Sequence, residues 1–201
     1  MKKRIAFVGI DGAGKTTIIE EIKKNLEKGG KICAVEYMGF GRNLHMPFLK
    51  NAIRGYSTKK YFYRENGEIK RKPTKRENYR IRSFLWLLVY YSELLIRYFK
   101  NIFTKSDYIL YDRYFYDGLV FSGKKNFKWL SKLIPRPNKS FLIYAPEKII
   151  RERKQEAELK DIRQFYGQMK IIGENFDIKI IDNARRLDIV IKEIMEDLNE
   201  K

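Results

Sequence analysis

The stretch Gly9–Thr17 reads GIDGAGKTT and directly follows the apolar run Ile5–Val8. Four residues separate Gly9 from Gly-Lys-Thr, which is the spacing of a phosphate-binding P-loop, or Walker A motif. The nearly continuous apolar run predicts a buried parallel strand over residues 4–9. Apolar residues at helical spacing predict a helix over residues 16–28. A strand, a glycine-rich loop and a helix in this order are the context that a P-loop requires, so the sequence predicts a phosphate site.

Each residue type in this loop suits one part of phosphate binding. Glycines let backbone N–H groups turn toward phosphate oxygens, and Lys15 supplies a point charge for the transferred group. The hydroxyl of Thr16 is expected to hold Mg²⁺, and the helix N-terminus adds a partial positive charge. The residues expected to bind the phosphates of a triphosphate are Asp11, Gly12, Ala13, Gly14, Lys15, Thr16 and Thr17.

A second metal ligand is expected at the carboxyl end of a neighbouring strand. The apolar run Tyr108–Tyr111 is followed by Asp112, so it predicts a strand that ends in an acid. We expect Asp112 and Thr16 to hold Mg²⁺, since this ion prefers oxygen ligands. The alternative is that Asp112 only caps the next helix.

Arginines are expected as well, because Mg²⁺ and one lysine do not neutralise all the charge of a triphosphate in the transition state. The predicted helix over residues 147–156 carries two arginines after the fourth strand, and Arg163 follows a few turns later. A solvated helix face is the alternative for each of them. The candidate catalytic residues are Lys15, Arg113, Arg151 and Arg153.

Length and composition limit the class of protein. The chain has 201 residues, of which 44% are hydrophobic and 34% charged, as in a folded protein with one sizeable core. We therefore expect a single domain over residues 1–201. One cysteine and one histidine exclude a disulfide framework and a multi-histidine metal site. We expect a cytoplasmic location, since the chain shows no signal-peptide cleavage site.

Predicted strands alternate with predicted helices along the chain. Further strands are expected over residues 31–38, 108–111, 140–145 and 176–181, and further helices over residues 79–103, 147–156, 159–172 and 184–199. Strands separated by helices favour βαβ units with a parallel sheet. The sequence therefore predicts an α/β fold, a three-layer α/β/α arrangement around about five parallel strands.

Nearly half of the net charge of +18 lies in residues 54–82, which contain eleven Lys or Arg and three Glu. Tyrosines lie between these basic residues, and such a mixture can stack on bases and bind phosphates. A polynucleotide 5′-kinase, or another nucleic-acid-binding kinase, is therefore one interpretation. The other is a basic arm inserted between the second and third strands, in which Asn66-Gly67 can close a hairpin. We expect this arm to cover the acceptor site, where its charge attracts acidic acceptors.

Residues 84–91 are apolar on every side. A transmembrane helix needs about 20 apolar residues, and Glu93 and Arg97 interrupt the run earlier. We therefore expect no transmembrane segment, but a buried or dimer-forming helix. Attachment to a membrane surface beside the basic arm is the alternative.

Proteins that use a P-loop include GTPases, ATP-driven motors and kinases. A GTPase of the common type carries Asn-Lys-x-Asp after a strand, whereas here Asn138-Lys139 is followed by Ser140-Phe141. A motor usually needs a larger chain. A small P-loop protein with an acid–arginine pair and an arginine-rich helix favours a kinase that acts on a small acceptor, while a nucleotide-gated binding protein is a second class.

Three motifs together resemble the thymidylate-kinase family of nucleoside monophosphate kinases. They are GIDGAGKTT after Phe7, the triplet Asp112-Arg113-Tyr114, and Pro146-Glu147 followed by the arginine helix. Their order and spacing hold over nearly the whole chain. The resemblance implies a parallel five-stranded sheet, ATP as phosphoryl donor with Mg²⁺, a lid over residues 151–160 and a homodimer. It also implies a phosphorylated acceptor, most plausibly a nucleotide such as dTMP.

The same resemblance implies roles for single residues. Asp11 would face the sugar of the acceptor, and Arg42 would grip its phosphate. The loop over residues 183–186 would lie near the adenine of ATP. The expected acceptor site comprises Asp11, Arg42, Arg113, Tyr114, Asp117 and Ser122.

Two motifs depart from typical members of this family. Typical members continue the triplet as Asp-Arg-Tyr-x-x-Ser and have a later Ala-Tyr-Gln near the thymine, where this chain has Asp117 and Val120–Ser122. Residues 38–42 read Met-Gly-Phe-Gly-Arg in place of Arg-Glu-Pro-Gly-Gly. A divergent branch with Asp-Arg-Tyr-x-x-Asp, Leu-Val and Arg-Lys-Gln-Glu matches residues 112–120 and 153–156 closely. A sugar or sugar phosphate is therefore the alternative acceptor.

Overall fold

The computed structural model of this protein describes residues 2–39, 62–65, 68–71, 79–122, 132–153 and 159–199. Its contacts divide the chain into two compact units, Met1–Gly39 with Lys100–Lys201 and Phe40–Phe99. The first unit holds the P-loop and the large sheet, and the second holds a hairpin and most of one long helix.

Helices separate the strands of the large sheet along the described residues, as the sequence predicts. The strands are β1 (Lys3–Val8), β2 (Cys33–Tyr37), β3 (Phe62–Glu65), β4 (Glu68–Arg71), β5 (Tyr108–Asp112), β6 (Lys139–Tyr144) and β7 (Ile178–Asp182). The helices are α1 (Lys15–Lys28), α2 (Tyr79–Ile102), α3 (Phe115–Ser122), α4 (Glu147–Arg153), α5 (Leu159–Phe176) and α6 (Leu187–Asn199). Each expected strand and helix has a counterpart here, and α3 is an addition.

Strand β1 lies at the centre of a parallel five-stranded sheet with the order β2-β5-β1-β6-β7. Ile5 pairs with Leu110 of β5, and Ala6 pairs with Ser140 of β6. Residues 5–8 have no solvent exposure, as expected for a strand that is paired on both edges and covered on both faces. The sheet and its flanking helices form the three-layer α/β/α P-loop kinase fold, which confirms the predicted fold class.

Helix α1 is fixed by its apolar stripe. Ile18, Ile22 and Leu26 are buried and share one core cluster with Ile194 and Leu198 of α6. Burial of such side chains stabilises the fold by about 1.5–3 kcal/mol each. This packing holds the N-terminus of α1 at the carboxyl end of β1, where the phosphate loop lies.

In the second unit, β3 and β4 form an antiparallel hairpin with Glu65 opposite Glu68. This pairing confirms the hairpin interpretation of the Asn-Gly sequence. The other residues of the basic arm before α2 lie outside the described part of the chain. Glu93 and Arg97 of α2 form an ion pair of 3.0 Å one helical turn apart. Among the described helices, none combines the length and the apolar character that crossing a membrane demands.

Candidate functional site

The phosphate loop connects β1 to α1, and close approaches to its backbone require glycine at two positions. A Cβ atom at Gly9 would lie 2.7 Å from the carbonyl oxygen of Ile143 in β6. Gly14 has a φ of 92°, and a Cβ atom there would lie 2.3 Å from Nδ2 of Asn183. A side chain at either position would collide with its neighbour, so both ends of the loop depend on glycine.

Lys15 is buried in this loop, with 6% of its surface exposed. Its Nζ donates hydrogen bonds of 2.9 Å to the carbonyl oxygens of Gly9 and Ile10, and lies 3.9 Å from Asp11 Oδ1. Burial lowers the pKa of Lys15, the charge of Arg113 lowers it further, and the nearby carboxylates oppose both effects. The lysine amine thus lies in a weakly hydrated place, where its positive charge acts strongly on a phosphate.

Arg113 lies between two carboxylates at the end of β5. Its Nη1 donates to Asp117 Oδ2 at 2.6 Å, and its Nη2 donates to Asp11 Oδ1. Burial alone would lower the pKa of Arg113, but Asp117 and Asp11 outweigh that effect, so the pKa is raised and the guanidinium stays charged. Burial raises the pKa of Asp117, and the guanidinium opposes the rise. The backbone of Arg113 is left-handed, with a φ of 68°, a conformation uncommon outside glycine.

Asp112 lies opposite Phe7 of β1, at the carboxyl end of β5. Its Oδ1 is buried without a hydrogen-bond partner, and a buried carboxylate oxygen of this kind fits a cation ligand. Thr16 and Thr17 are exposed in the first turn of α1. Across the described ranges, no group of three or more His, Cys, Asp or Glu is placed to hold a metal ion.

The two arginines of α4 face different surroundings. Arg153 Nη1 donates to the carbonyl oxygen of Gly12 at 3.2 Å, so it lies on the phosphate loop. Residues two positions apart in a helix lie about 200° apart around its axis, so Arg151 and Arg153 point in nearly opposite directions. Arg151 lines a cavity of about 470 Å³ together with Glu147, Lys148, Glu152 and Leu159. The structure thus brings Arg153 to the loop and does not bring Arg151 there. Residues 154–158 of the expected lid lie outside the described residues.

Arg163 of α5 forms a two-pronged ion pair with Glu147 of α4. Its Nε and Nη2 donate to the two carboxylate oxygens at 2.7 and 3.1 Å. The hydrogen bond from Arg163 lowers the pKa of Glu147. This pair joins the start of α4 to α5 on the protein surface.

The expected acceptor residues differ in where the structure places them. Asp11, Arg113 and Asp117 form one cluster, whereas Tyr114 is fully buried and donates to the carbonyl oxygen of Pro135 at 2.8 Å. Tyr114 therefore packs in the core beneath the cluster. Ser122 is the last residue of α3, and Arg42 lies outside the described residues.

Two contacts at this site had no counterpart in the sequence analysis. A Cβ atom at Gly39 would lie 2.3 Å from the Tyr37 ring and 2.5 Å from Arg113 Cδ, so the end of β2 packs closely against Arg113. Asn183, directly after β7, donates from Nδ2 to the carbonyl oxygen of Ala13 at 2.7 Å. Gly39 directly follows the predicted strand over residues 31–38. Asn183 belongs to the loop over residues 183–186, which the resemblance places near the adenine of ATP, but its bond to the phosphate loop had no signal in the sequence.

No protein-family model matches this chain, and no curated protein sequence matches it. Solved structures with a similar fold include two thymidylate kinases. The enzyme from Candida albicans superimposes with a TM-score of 0.66 and 18% identity, over 98% of this chain and 91% of that one. The enzyme from Ehrlichia chaffeensis gives a TM-score of 0.61 and 15% identity, over 98% of this chain and 99% of that one. The chain therefore shares the thymidylate kinase fold.

Proposed function

We propose that this protein is an ATP-dependent nucleoside monophosphate kinase of the thymidylate kinase type, which converts ATP and dTMP to ADP and dTDP. The observation that carries the proposal is the cluster at the phosphate loop, where buried Lys15 and paired Arg113 lie near Asp11. The fold that the chain shares with thymidylate kinases supports it.

The phosphate loop serves the donor side of this reaction. Backbone N–H groups of Gly12–Thr17 would bind the phosphates of ATP, helped by the N-terminal partial charge of α1. The Nζ of Lys15 would neutralise charge on the transferred group, and Arg153, already bonded to the loop at Gly12, would do the same from α4. Catalysis then consists of positioning and charge neutralisation.

Thr16 and Asp112 would hold Mg²⁺ at the same edge of the sheet. The buried Oδ1 of Asp112 has no hydrogen-bond partner, which suits a cation ligand, and the hydroxyl of Thr16 lies in the exposed first turn of α1. When bound, the ion neutralises phosphate charge and orients the donor.

The acceptor would lie beside Asp11 and Arg113. An oxygen of its phosphate attacks the γ-phosphorus of ATP, a new P–O bond forms, and the bond to the β–γ bridging oxygen breaks to release ADP. No covalent enzyme intermediate is needed. Arg113 is fixed by Asp117 and Asp11, so it can orient the acceptor without first being ordered.

We also propose that the active protein is a homodimer.

A second candidate function is the phosphorylation of a non-nucleotide acceptor, a sugar or sugar phosphate. The observation that favours it is the balance of charge beside the loop, where Lys15 and Arg113 face three carboxylates, those of Asp11, Asp112 and Asp117. An arginine whose charge is matched by two carboxylates attracts an acceptor phosphate less, whereas carboxylates accept hydrogen bonds from sugar hydroxyls.

One experiment separates these candidates. ADP release from ATP and Mg²⁺ is measured with nucleoside monophosphates, nucleosides, sugars, sugar phosphates and 5′-hydroxyl oligonucleotides. Acceleration by dTMP alone supports the first candidate, and acceleration by a sugar or sugar phosphate alone supports the second. Acceleration by the oligonucleotide identifies a polynucleotide kinase. If none of these acceptors changes the rate of ADP release, the protein is not a kinase for any of them.

A further inference from the structure

We propose that Asn183 is a positioning residue of the phosphate loop, which it holds ready for the phosphates by fixing the peptide between Ala13 and Gly14. The inference rests on the proposed function for the identity of the ligand, and it assigns a new role to the residue after β7. Nδ2 of Asn183 donates to the carbonyl oxygen of Ala13 at 2.7 Å. The same atom lies 2.3 Å from where a Cβ of Gly14 would be, so the amide packs directly on this peptide.

The geometry of a peptide unit explains what this contact does. In a trans peptide the carbonyl group and the N–H group point in opposite directions, and the described residues contain no cis peptide. Holding the Ala13 carbonyl toward Asn183 therefore directs the N–H of Gly14 to the other side. Gly14 is left-handed and is followed by the first residue of α1, and successive N–H groups in such a turn form a concave anion site.

Asn183 is itself held firmly by the sheet. Its backbone N–H donates to the carbonyl oxygen of Tyr144 at 2.8 Å, one residue beyond the pairing of Tyr144 with Asp182. The following N–H, of Ala184, donates to Asp182 Oδ1 at 2.9 Å. With its backbone fixed on both sides, Asn183 reaches from the end of β7 across β6 to the loop that follows β1.

The residue type also suits this role. The contact needs an N–H donor, and a neutral amide supplies one without adding charge beside the phosphates. An aspartate of the same shape would face the Ala13 carbonyl with an acceptor and would repel a bound triphosphate. Asparagine at this place thus supports the loop and leaves its positive potential intact.

The test uses Mg²⁺-tripolyphosphate beside MgATP, because tripolyphosphate has phosphates but no base. Calorimetry on the full chain measures both affinities for Asn183→Ala and for Asn183→Asp, which preserves the side-chain volume. Because Asn183→Ala removes one hydrogen bond, it should lower the affinity for both ligands by the same factor, about threefold to tenfold. Asn183→Asp should weaken both more strongly.

Asn138→Ala is the matched control. Asn138 Oδ1 accepts a bond of 2.7 Å from the backbone N–H of Arg4, at the opposite end of the sheet, so both affinities should stay unchanged. If both Asn183 variants bind tripolyphosphate as tightly as the unaltered protein does, the role proposed for Asn183 is overturned, whether or not ATP binding is weaker. The proposed function would not be affected by that result. Absence of MgATP binding by the unaltered protein would instead overturn the proposed function, and this inference with it.

Discussion

Arg113 and Asp117 form an ion pair of 2.6 Å in which the carboxylate side chain is 4% exposed and the guanidinium side chain 17%. The pair links the end of β5 to the first turn of α3, and it holds an arginine whose own backbone is left-handed. The side chain that would meet the acceptor is therefore fixed by its neighbours in the fold.

Replacing Asp117 with Asn should destabilise the protein by about 2 kcal/mol, since it removes a charge-assisted hydrogen bond from Arg113 and leaves Asp11 to pair with that guanidinium. Urea unfolding at neutral pH measures the change. Glu196→Gln serves as the control, because the Lys192–Glu196 pair is widely exposed and its loss should have no measurable effect. Equal stability of Asp117→Asn and the unaltered protein would show that the pair contributes nothing to folding.

Lys15→Met should abolish turnover without reducing stability at pH 7. Burial lowers the pKa of Lys15. A lysine whose pKa is lowered by folding stabilises the protein only when the pH is above the pKa of the unfolded state. That stabilisation is lost as the pH falls through the pKa of the folded state. The pKa of an unfolded lysine lies well above 7, so at neutral pH protonation favours the unfolded state and the burial of Lys15 costs folding free energy. Thermal unfolding and ADP release test both parts, and either retained turnover or a clearly lower melting temperature would contradict this prediction.

Arg153→Ala should lower kcat by about 10³-fold if Arg153 acts on the transferred phosphoryl group. Its guanidinium already contacts the phosphate loop at Gly12. Arg151→Ala is the matched control, because Arg151 belongs to the same helix but lines a different cavity, and it should change kcat by less than about tenfold. Similar small losses in both variants would mean that Arg153 is only a surface charge.

Stability should fall steeply above pH 10, in part because of Tyr116. Burial raises the pKa of Tyr116 to about 12, from an unfolded value of about 10. A raised pKa contributes stability that is complete below the unfolded value and is lost as pH rises through the folded value, so the loss occurs between about pH 10 and 12. In Tyr116→Phe, the free energy of unfolding should fall by about 2 kcal/mol less over this pH range than in the unaltered protein. Denaturant unfolding from pH 9 to 11.5 checks it, and parallel curves for the two proteins would count against it.

The strands were predictable because their signal is local. Residues 5–8 and 108–111 are short apolar runs that become strands of the parallel sheet. Helix α3 was missed for a physical reason. Tyr114, Phe115 and Tyr116 at its start are all buried, so this segment lacks the apolar and polar alternation that marks a helix with one exposed face.

The site was only partly predictable, because its side-chain partners are distant along the chain. The motif predicted Lys15 in the loop, since the spacing of a P-loop is local. The bond from Asn183 to Ala13 joins residues 170 positions apart, and no local pattern encodes it. The sequence also could not separate Arg151 from Arg153, since the side of α4 that meets the loop depends on how the helix packs.

The Glu147–Arg163 ion pair should weaken as the ionic strength rises. Both side chains are at the surface, where dissolved salt screens the attraction between opposite charges. The pair joins α5 to the helix that carries Arg153, so this link is tightest in dilute buffer and loosens as salt is added. Because such an exposed pair contributes little on its own, the buried side chain of Ile150 in the same helix is what keeps Arg153 at the phosphate loop when salt is added.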